Sequence, residues 1–165
     1  MEQRLEHDFY PTPLYSLNPL LERVDLSSIK SFLEPCRGDS RIFDLIDCKE
    51  KYWAEIREGV DYLSTPFSNI DLIITNPPFS LSEEFIVKSL SEAKTVCYLQ
   101  RLNWLGSKKR KDFWNNNTPD KIFVLSKRPQ FKKELGLGGG SDSTEYAWFI
   151  WDKLGIVEGK HLEIF

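Results

Sequence analysis

The sequence predicts an α/β fold, a doubly wound, Rossmann-like sheet that is mostly parallel with a terminal antiparallel hairpin. Strand-like and helix-like segments alternate through most of the 165 residues. Two strand-like segments then follow each other without a helix between them. One segment, Ile-Asp-Leu-Ile-Ile-Thr at 70–75, is the short apolar run of a strand buried on both faces.

Pro11 and Pro13 open a helix that continues through Leu20, Leu21 and Val24, since proline is at home in a first helical turn. Residues 31–34 form a short apolar strand that breaks at Pro35. Arg37-Gly38-Asp39-Ser40 is a turn, followed by helical spacing of Ile42, Leu45 and Ile46. Residues 51–57 read as a strand because Tyr52 and Trp53 favour extended backbone, and 59–63 as a turn with a short extended piece. After the 70–75 strand, Phe85, Ile86, Leu90 and Ala93 recur at helical spacing across 81–93. A strand at 95–100, a helix at 107–116 and strands at 121–126 and 146–151 complete the order. The glycine-rich stretch 135–143 joins the last two strands, and its composition predicts mobility.

The chain reads as a single domain, 1–165, with no internal repeat and no dividing linker. A hydrophobic fraction of 41%, with five Trp, six Tyr and eleven Phe, is enough for a core without staples. Cys36, Cys48 and Cys97 are an odd set with no CxxC pair, which predicts reduced thiols in a cytoplasmic protein and no metal site. No apolar run reaches the length of a membrane span, and the polar start MEQRLEHDF is no signal peptide. The formal net charge of −3 argues against a histone-like basic coat. The cations are clustered instead: Arg101, Lys108, Lys109, Arg110 and Lys111 in one group, Lys127, Arg128, Lys132 and Lys133 in another. Clustering of this kind points to nucleic acid.

Asn76-Pro77-Pro78-Phe79 follows the buried strand directly, at its carboxyl end, where α/β sheets bind ligands. The Asn76 side-chain oxygen and the Pro77 carbonyl can each accept one N–H of an exocyclic amine. Such an amine is a poor nucleophile because its lone pair is delocalised. Two placed acceptors draw the nitrogen toward tetrahedral geometry without an ionisable base. The prolines stiffen the backbone, and Phe79 can stack on a base. The alternative is a plain proline-rich turn. The segment from Phe32 to Asp39 is a strand that ends in an acid, Glu34, and runs through Pro35 and Cys36 into the Gly38 turn. It reads either as a cofactor cradle with Glu34 facing a cationic amine or as a turn capped by Asp39 or Ser40. Glu55 reads as a ribose acceptor or a surface carboxylate. Asp61, beside Tyr62, reads as an acceptor for an adenine amine or likewise a surface carboxylate.

The ordered set Asp8-Phe9-Tyr10-Pro11-Thr12-Pro13, Glu34-Pro35-Cys36-Arg37-Gly38-Asp39, Glu55, Asp61 and Asn76-Pro77-Pro78-Phe79 resembles the amino-methyltransferases of DNA. More narrowly, it resembles the small adenine-N6 methyltransferases of bacteriophages and prophages. Segments like 101–110, 126–131 and 142–148 follow in the same order in that group. The resemblance covers residues 8–151. It implies a class I methyltransferase sheet, S-adenosylmethionine as cofactor, DNA as partner, and a phage- or prophage-encoded monomer in the bacterial cytoplasm. It implies that Tyr10, Thr12 and Pro13 border the methionine end. Glu34, Glu55 and Asp61 would take the amine, ribose and adenine, with Pro35, Cys36, Gly38, Asp39, Tyr62 and Asn76 around them. Asn76 to Phe79 would hold the target adenine. Phe131 would flank the flipped base, its alternative being a core residue. The family has a second glycine where this chain has Ser40. It also usually carries a recognition domain, for which the short stretch between Asp61 and Asn76 leaves no room, so low sequence specificity is expected. The competing readings are an RNA or protein-glutamine amino-methyltransferase, and a binder of nucleic acid or cofactor that transfers nothing.

Overall fold

The computed structural model describes residues 10–137 and 143–165. Asp8, Phe9, the rest of the amino-terminal segment, and residues 138–142 of the glycine-rich stretch lie outside the described residues. Seven strands form one sheet in the order β2-β1-β3-β4-β6-β5-β7. They are β1 (Ser31–Glu34), β2 (Glu50–Trp53), β3 (Ile70–Thr75), β4 (Ala93–Arg101), β5 (Lys121–Val124), β6 (Tyr146–Asp152) and β7 (Leu162–Ile164). β1 to β4 pair in parallel, and β6 runs antiparallel to both β4 and β5. The expected antiparallel pair is thus present, but β6 lies inside the sheet between β4 and β5. The unforeseen β7 adds in parallel at the margin.

The helices are α1 (Leu14–Leu21), α2 (Ser82–Glu92), α3 (Lys111–Asn116) and α4 (Phe131–Glu134). Side chains alternate across each strand, and the alternation divides the core into two layers. Phe32, Leu72, Ile74, Leu99 and Trp148 pack toward Leu17 and Leu20 of α1. Leu33, Ile73, Val96, Tyr98 and Phe149 pack toward Phe85 and Ile86 of α2. The Trp148 indole N–H donates to the Ser16 carbonyl at 2.7 Å, pinning α1 to β6.

Three expected elements differ. α1 begins after Pro13 and ends at Leu21, so Val24 lies beyond it, in a bridge with Val157. The 51–57 strand stops at Trp53, and Glu55 caps a 3-10 turn at Ile56–Glu58 by accepting from the Arg57 N–H. Helical spacing at Ile42, Leu45 and Ile46 yields only the 3-10 turn Phe43–Leu45, which ends where Ile46 turns to extended backbone.

Asp152 closes the end of β6. It accepts from Thr95 Oγ1 at 2.9 Å and from the Ile156 and Val157 N–H groups at 3.1 and 2.9 Å, and it faces Lys121 Nζ at 3.4 Å. Burial pushes its carboxyl up, but these donors outweigh burial and hold it below the ordinary range. Its stabilising effect is therefore present above the ordinary aspartate pKa and is lost as pH falls through the depressed value. Asp152→Ala is expected to destabilise the fold by about 3 kcal/mol, as breaking a buried ion pair does. Urea unfolding at neutral pH measures this, and a loss well below 1 kcal/mol would show the cluster to be dispensable.

Candidate functional site

Because β1 to β5 all point the same way, the segments that follow them converge on one edge of the sheet. A cavity of about 560 Å³ opens there, within the range of small-molecule sites. Its wall contains Tyr10, Thr12, Glu34, Pro35, Cys36, Gly38, Asp39, Glu55, Asp61, Tyr62, Asn76 and Pro78. The tertiary structure thus gathers nearly every residue predicted for cofactor binding. Pro13 is a correction: it is buried and caps α1, and it does not border the cavity. Pro77 and Phe79 also lie off this wall.

Glu34 is 2% exposed at the end of β1, and its Oε2 has no hydrogen-bond partner. Burial pushes its carboxyl well above the ordinary glutamate range, against the pull of the Phe43 backbone donor. Glu55 is also buried, but it is occupied: Oε2 accepts from the Gly38 N–H at 2.8 Å, and Oε1 from Arg57 Nε at 2.8 Å. Burial raises its pKa, yet the Arg57 and Gly38 hydrogen bonds outweigh burial and hold the carboxyl below its ordinary value. Glu55 therefore braces the glycine turn. Asp61 accepts from the Leu63 N–H at 3.1 Å. The Tyr62 hydroxyl is bonded to Ser89 and Glu92, so it is not what Tyr62 offers the cavity. Burial pushes the Cys36 thiol well up, which makes it a neutral wall.

The turn itself has two left-handed residues, Gly38 at φ 58° and Ser40 at φ 68°. Ser40 thus occupies a left-handed conformation that favours glycine. Ser40→Gly is expected to stabilise the protein by about 0.5–1 kcal/mol, the left-handed strain relieved less the greater freedom of glycine when unfolded. Thermal unfolding checks this, and a lower midpoint would mean that the Ser40 side chain holds the turn.

At the end of β3, Asn76 Nδ2 donates to the Tyr10 carbonyl at 2.8 Å. A carbonyl can only accept, so the amide orientation is determined, and Oδ1 remains buried without a partner. Among the described residues, none donates to the Pro77 carbonyl. Phe79 stacks on Tyr10 at 6.2 Å between ring centroids, and Phe131 meets Tyr10 edge-on at 5.8 Å. Phe131 is 5% exposed at the start of α4, so in this structure its ring is a core contact.

Both basic clusters follow strands that end at the cavity edge, β4 and β5. Lys108, Lys109 and Lys133 are exposed. Arg110 pairs with Glu83 at 2.9 Å, Arg128 pairs with Glu145, and Lys127 lies 3.9 Å from the centre of the Tyr15 ring. Arg101 sits 5.1 Å over Phe79, and Lys132 is half-buried.

The sequence reading missed Arg37, Arg41, Ile56, Leu63 and Leu81, which also wall the cavity. Ile56, Leu63 and Leu81 are exposed apolar side chains at its mouth, at 50%, 36% and 40%. Loop aliphatics carry no periodic signal, so only the folded chain distinguishes them from core. Among the described residues, no helix is long and apolar enough to cross a membrane, and no group of His, Cys, Asp and Glu is arranged to hold a metal ion.

No protein-family model matches the chain, and no curated protein matches it in sequence. Solved structures match it in shape. A candidate RNA methyltransferase from Pyrococcus horikoshii superposes with a TM-score of 0.62 at 15% identity, over 87% of this chain and 86% of its own. A dimethyladenosine transferase from Plasmodium falciparum gives 0.55 at 13%, over 86% of this chain and 61% of its own. A candidate class I S-adenosylmethionine-dependent methyltransferase from Listeria monocytogenes gives 0.64 at 15%, over 96% and 65%. The chain spans less than two thirds of the length of the latter two. The likeness shows the fold: the chain has the Rossmann-like sheet of class I methyltransferases, as its sequence predicts.

Proposed function

We propose that the protein transfers a methyl group from S-adenosylmethionine to the N6 amine of adenine in DNA. The observation that carries this reading is the Asn76 amide. Its N–H is held by the Tyr10 carbonyl, and its buried oxygen is left to accept from a ligand at the cavity wall. An acceptor of fixed orientation suits an amine whose lone pair must be freed.

The cavity residues fit the cofactor. Glu34 supplies a buried carboxyl whose Oε2 is unpartnered for the amine, Glu55 and Asp61 line the stretch suited to ribose and adenine, and Ile56, Leu63 and Leu81 provide apolar surface for a flat ring. When bound, the cofactor supplies an electrophilic methyl group on a sulfonium. Asn76 Oδ1 and the Pro77 carbonyl each accept one N–H of the adenine amine, concentrating its lone pair on the side away from the two acceptors. Phe79 supplies a ring for the flipped base to stack against. Transfer would break the cofactor's S–CH3 bond, leaving a neutral thioether, as the N–C bond forms, and the resulting acidic ammonium would give its proton to water, so no residue need act as a strong base.

Grip on nucleic acid comes from exposed cations such as Lys108, Lys109 and Lys133, which position a backbone but read no base edges. Adenine methylation in many sequence contexts, with binding that weakens steeply in salt, is therefore expected. The Pyrococcus neighbour's description favours a second reading, in which the polymer is RNA. Tritiated cofactor, mixed DNA and RNA, and nucleoside analysis separate the two. Labelled N6-methyladenine in DNA supports the proposal, label in RNA alone transfers the assignment to RNA, and cofactor binding without transfer to either leaves a binder.

A further inference from the structure

We propose that Arg41 receives the α-carboxylate of the cofactor by exchanging it for Glu134, so that filling the cavity releases α4 from the glycine turn. The inference rests on reading the cavity as an S-adenosylmethionine site. An amino-acid end carries an ammonium and a carboxylate on one carbon, so its receptor needs an anion and a cation side by side. Glu34 is the anion. Among the described residues, three arginines border the cavity. Arg37 is locked, stacked 3.7 Å from the centre of the Trp53 ring and bonded to both oxygens of Glu58. Arg57 is committed to Glu55.

Arg41 is different. Its Nε and Nη2 both hold Asp39, at 2.8 and 2.7 Å, while its Nη1 donates to the Thr12 carbonyl at 3.1 Å and to Glu134 at 2.7 Å, so that Nη1 is the exchangeable end. Asp39 and Thr12 belong to the cavity wall, whereas Glu134 lies on α4, outside that wall, and meets Arg41 from there. Glu34 and Arg41 flank the same glycine turn, and both line the cavity. A guanidinium is suited to a planar carboxylate. The Arg41–Glu134 pair is partly exposed, at 24% and 29%, and such pairs contribute little, so it is readily exchanged. α4 also carries Lys132 and Lys133. Losing Glu134's anchor would free the carboxyl end of α4, while Phe131 stays packed on Tyr10 and Tyr146 and the Tyr15 hydroxyl stays bonded at Gln130 N and Arg128 O. Cofactor occupancy and the nucleic-acid face would thereby be linked.

The test compares S-adenosylmethionine with methylthioadenosine, which lacks the amino-acid end, by calorimetry. Arg41→Gln should weaken the first about tenfold or more while leaving the second nearly unchanged, as expected for a lost charged hydrogen bond. Arg41→Lys, which keeps the charge without the fork, should fall between. Glu134→Gln should tighten S-adenosylmethionine about two- to fivefold, by removing a weak competing ion pair, and should leave methylthioadenosine unaltered. A bracing role for the pair predicts instead that Glu134→Gln weakens both ligands or neither. Either of those results, or equal loss of both ligands in Arg41→Gln, overturns the inference. Failure of the unaltered protein to bind S-adenosylmethionine overturns the cofactor reading itself.

Discussion

Asn76→Ala is expected to lower methyl transfer about a hundredfold or more, the usual effect of losing one preorganised polar contact to a reacting group. Cofactor affinity should change little, because the side-chain oxygen has no protein partner to lose and the residue proposed for the cofactor's amine is Glu34. Asn76→Asp is a sharper version. It keeps an acceptor but sets a carboxylate against the Tyr10 carbonyl, 2.8 Å from where the amide nitrogen now lies. The oxygen is then no longer held in place, and turnover should again fall steeply. Single-turnover transfer of labelled methyl under saturating nucleic acid measures both. Near-normal turnover in Asn76→Ala would remove the residue from the chemistry and return the Asn-Pro-Pro-Phe segment to being a stiff turn.

Glu34→Gln should have opposite effects on stability and on binding. The Glu34 carboxyl is pushed well above its ordinary range by burial. Below the ordinary glutamate pKa, folded and unfolded chains both hold the proton and nothing is lost. As pH rises past that value, the unfolded chain ionises while the folded one stays protonated. Stability therefore declines with pH until the raised value is passed. Glutamine has no proton to lose, so the variant should be more stable than the parent at pH 7.5 and similar to it near pH 4. Binding should go the other way. Removing the charged partner of a desolvated ammonium costs about 2–5 kcal/mol, and cofactor binding should release a proton in the parent but not in the variant. Urea unfolding at the two pH values and calorimetry in buffers of different ionisation heat give these readouts. A variant less stable at pH 7.5, or one with unchanged affinity, would make Glu34 a structural residue.

Much of the site was legible because strand ends are legible. The apolar run of β3 followed by Asn-Pro-Pro-Phe, and that of β1 followed by Glu-Pro-Cys-Arg-Gly-Asp, each place polar groups at a carboxyl end by local rules alone. Glu55 was located correctly in the wall, but its partners were not foreseen. Its bond to the Gly38 N–H spans two loops that only the parallel pairing of β1 and β2 brings together. The basic residues show the same limit: their clustering is a sequence property, while the pairing of Arg110 with Glu83 and of Arg128 with Glu145 depends on packing.

By itself the sequence determined the alternation of strands and helices, the burial of β3 on both faces, the turn after β1 and the motif after β3. Each is set by periodicity, proline and glycine within a few residues. Tertiary structure alone decided that β6 inserts between β4 and β5 and that β7 joins the margin, because strand order follows from which apolar faces meet. It decided that Tyr10 fixes the Asn76 amide from far away in the chain, and that Arg41 joins the glycine turn, the Thr12 carbonyl and α4. Hydrogen bonds and ion pairs act over a few ångströms, whatever the separation along the chain, and so they become definite only when the sheet has brought their partners together.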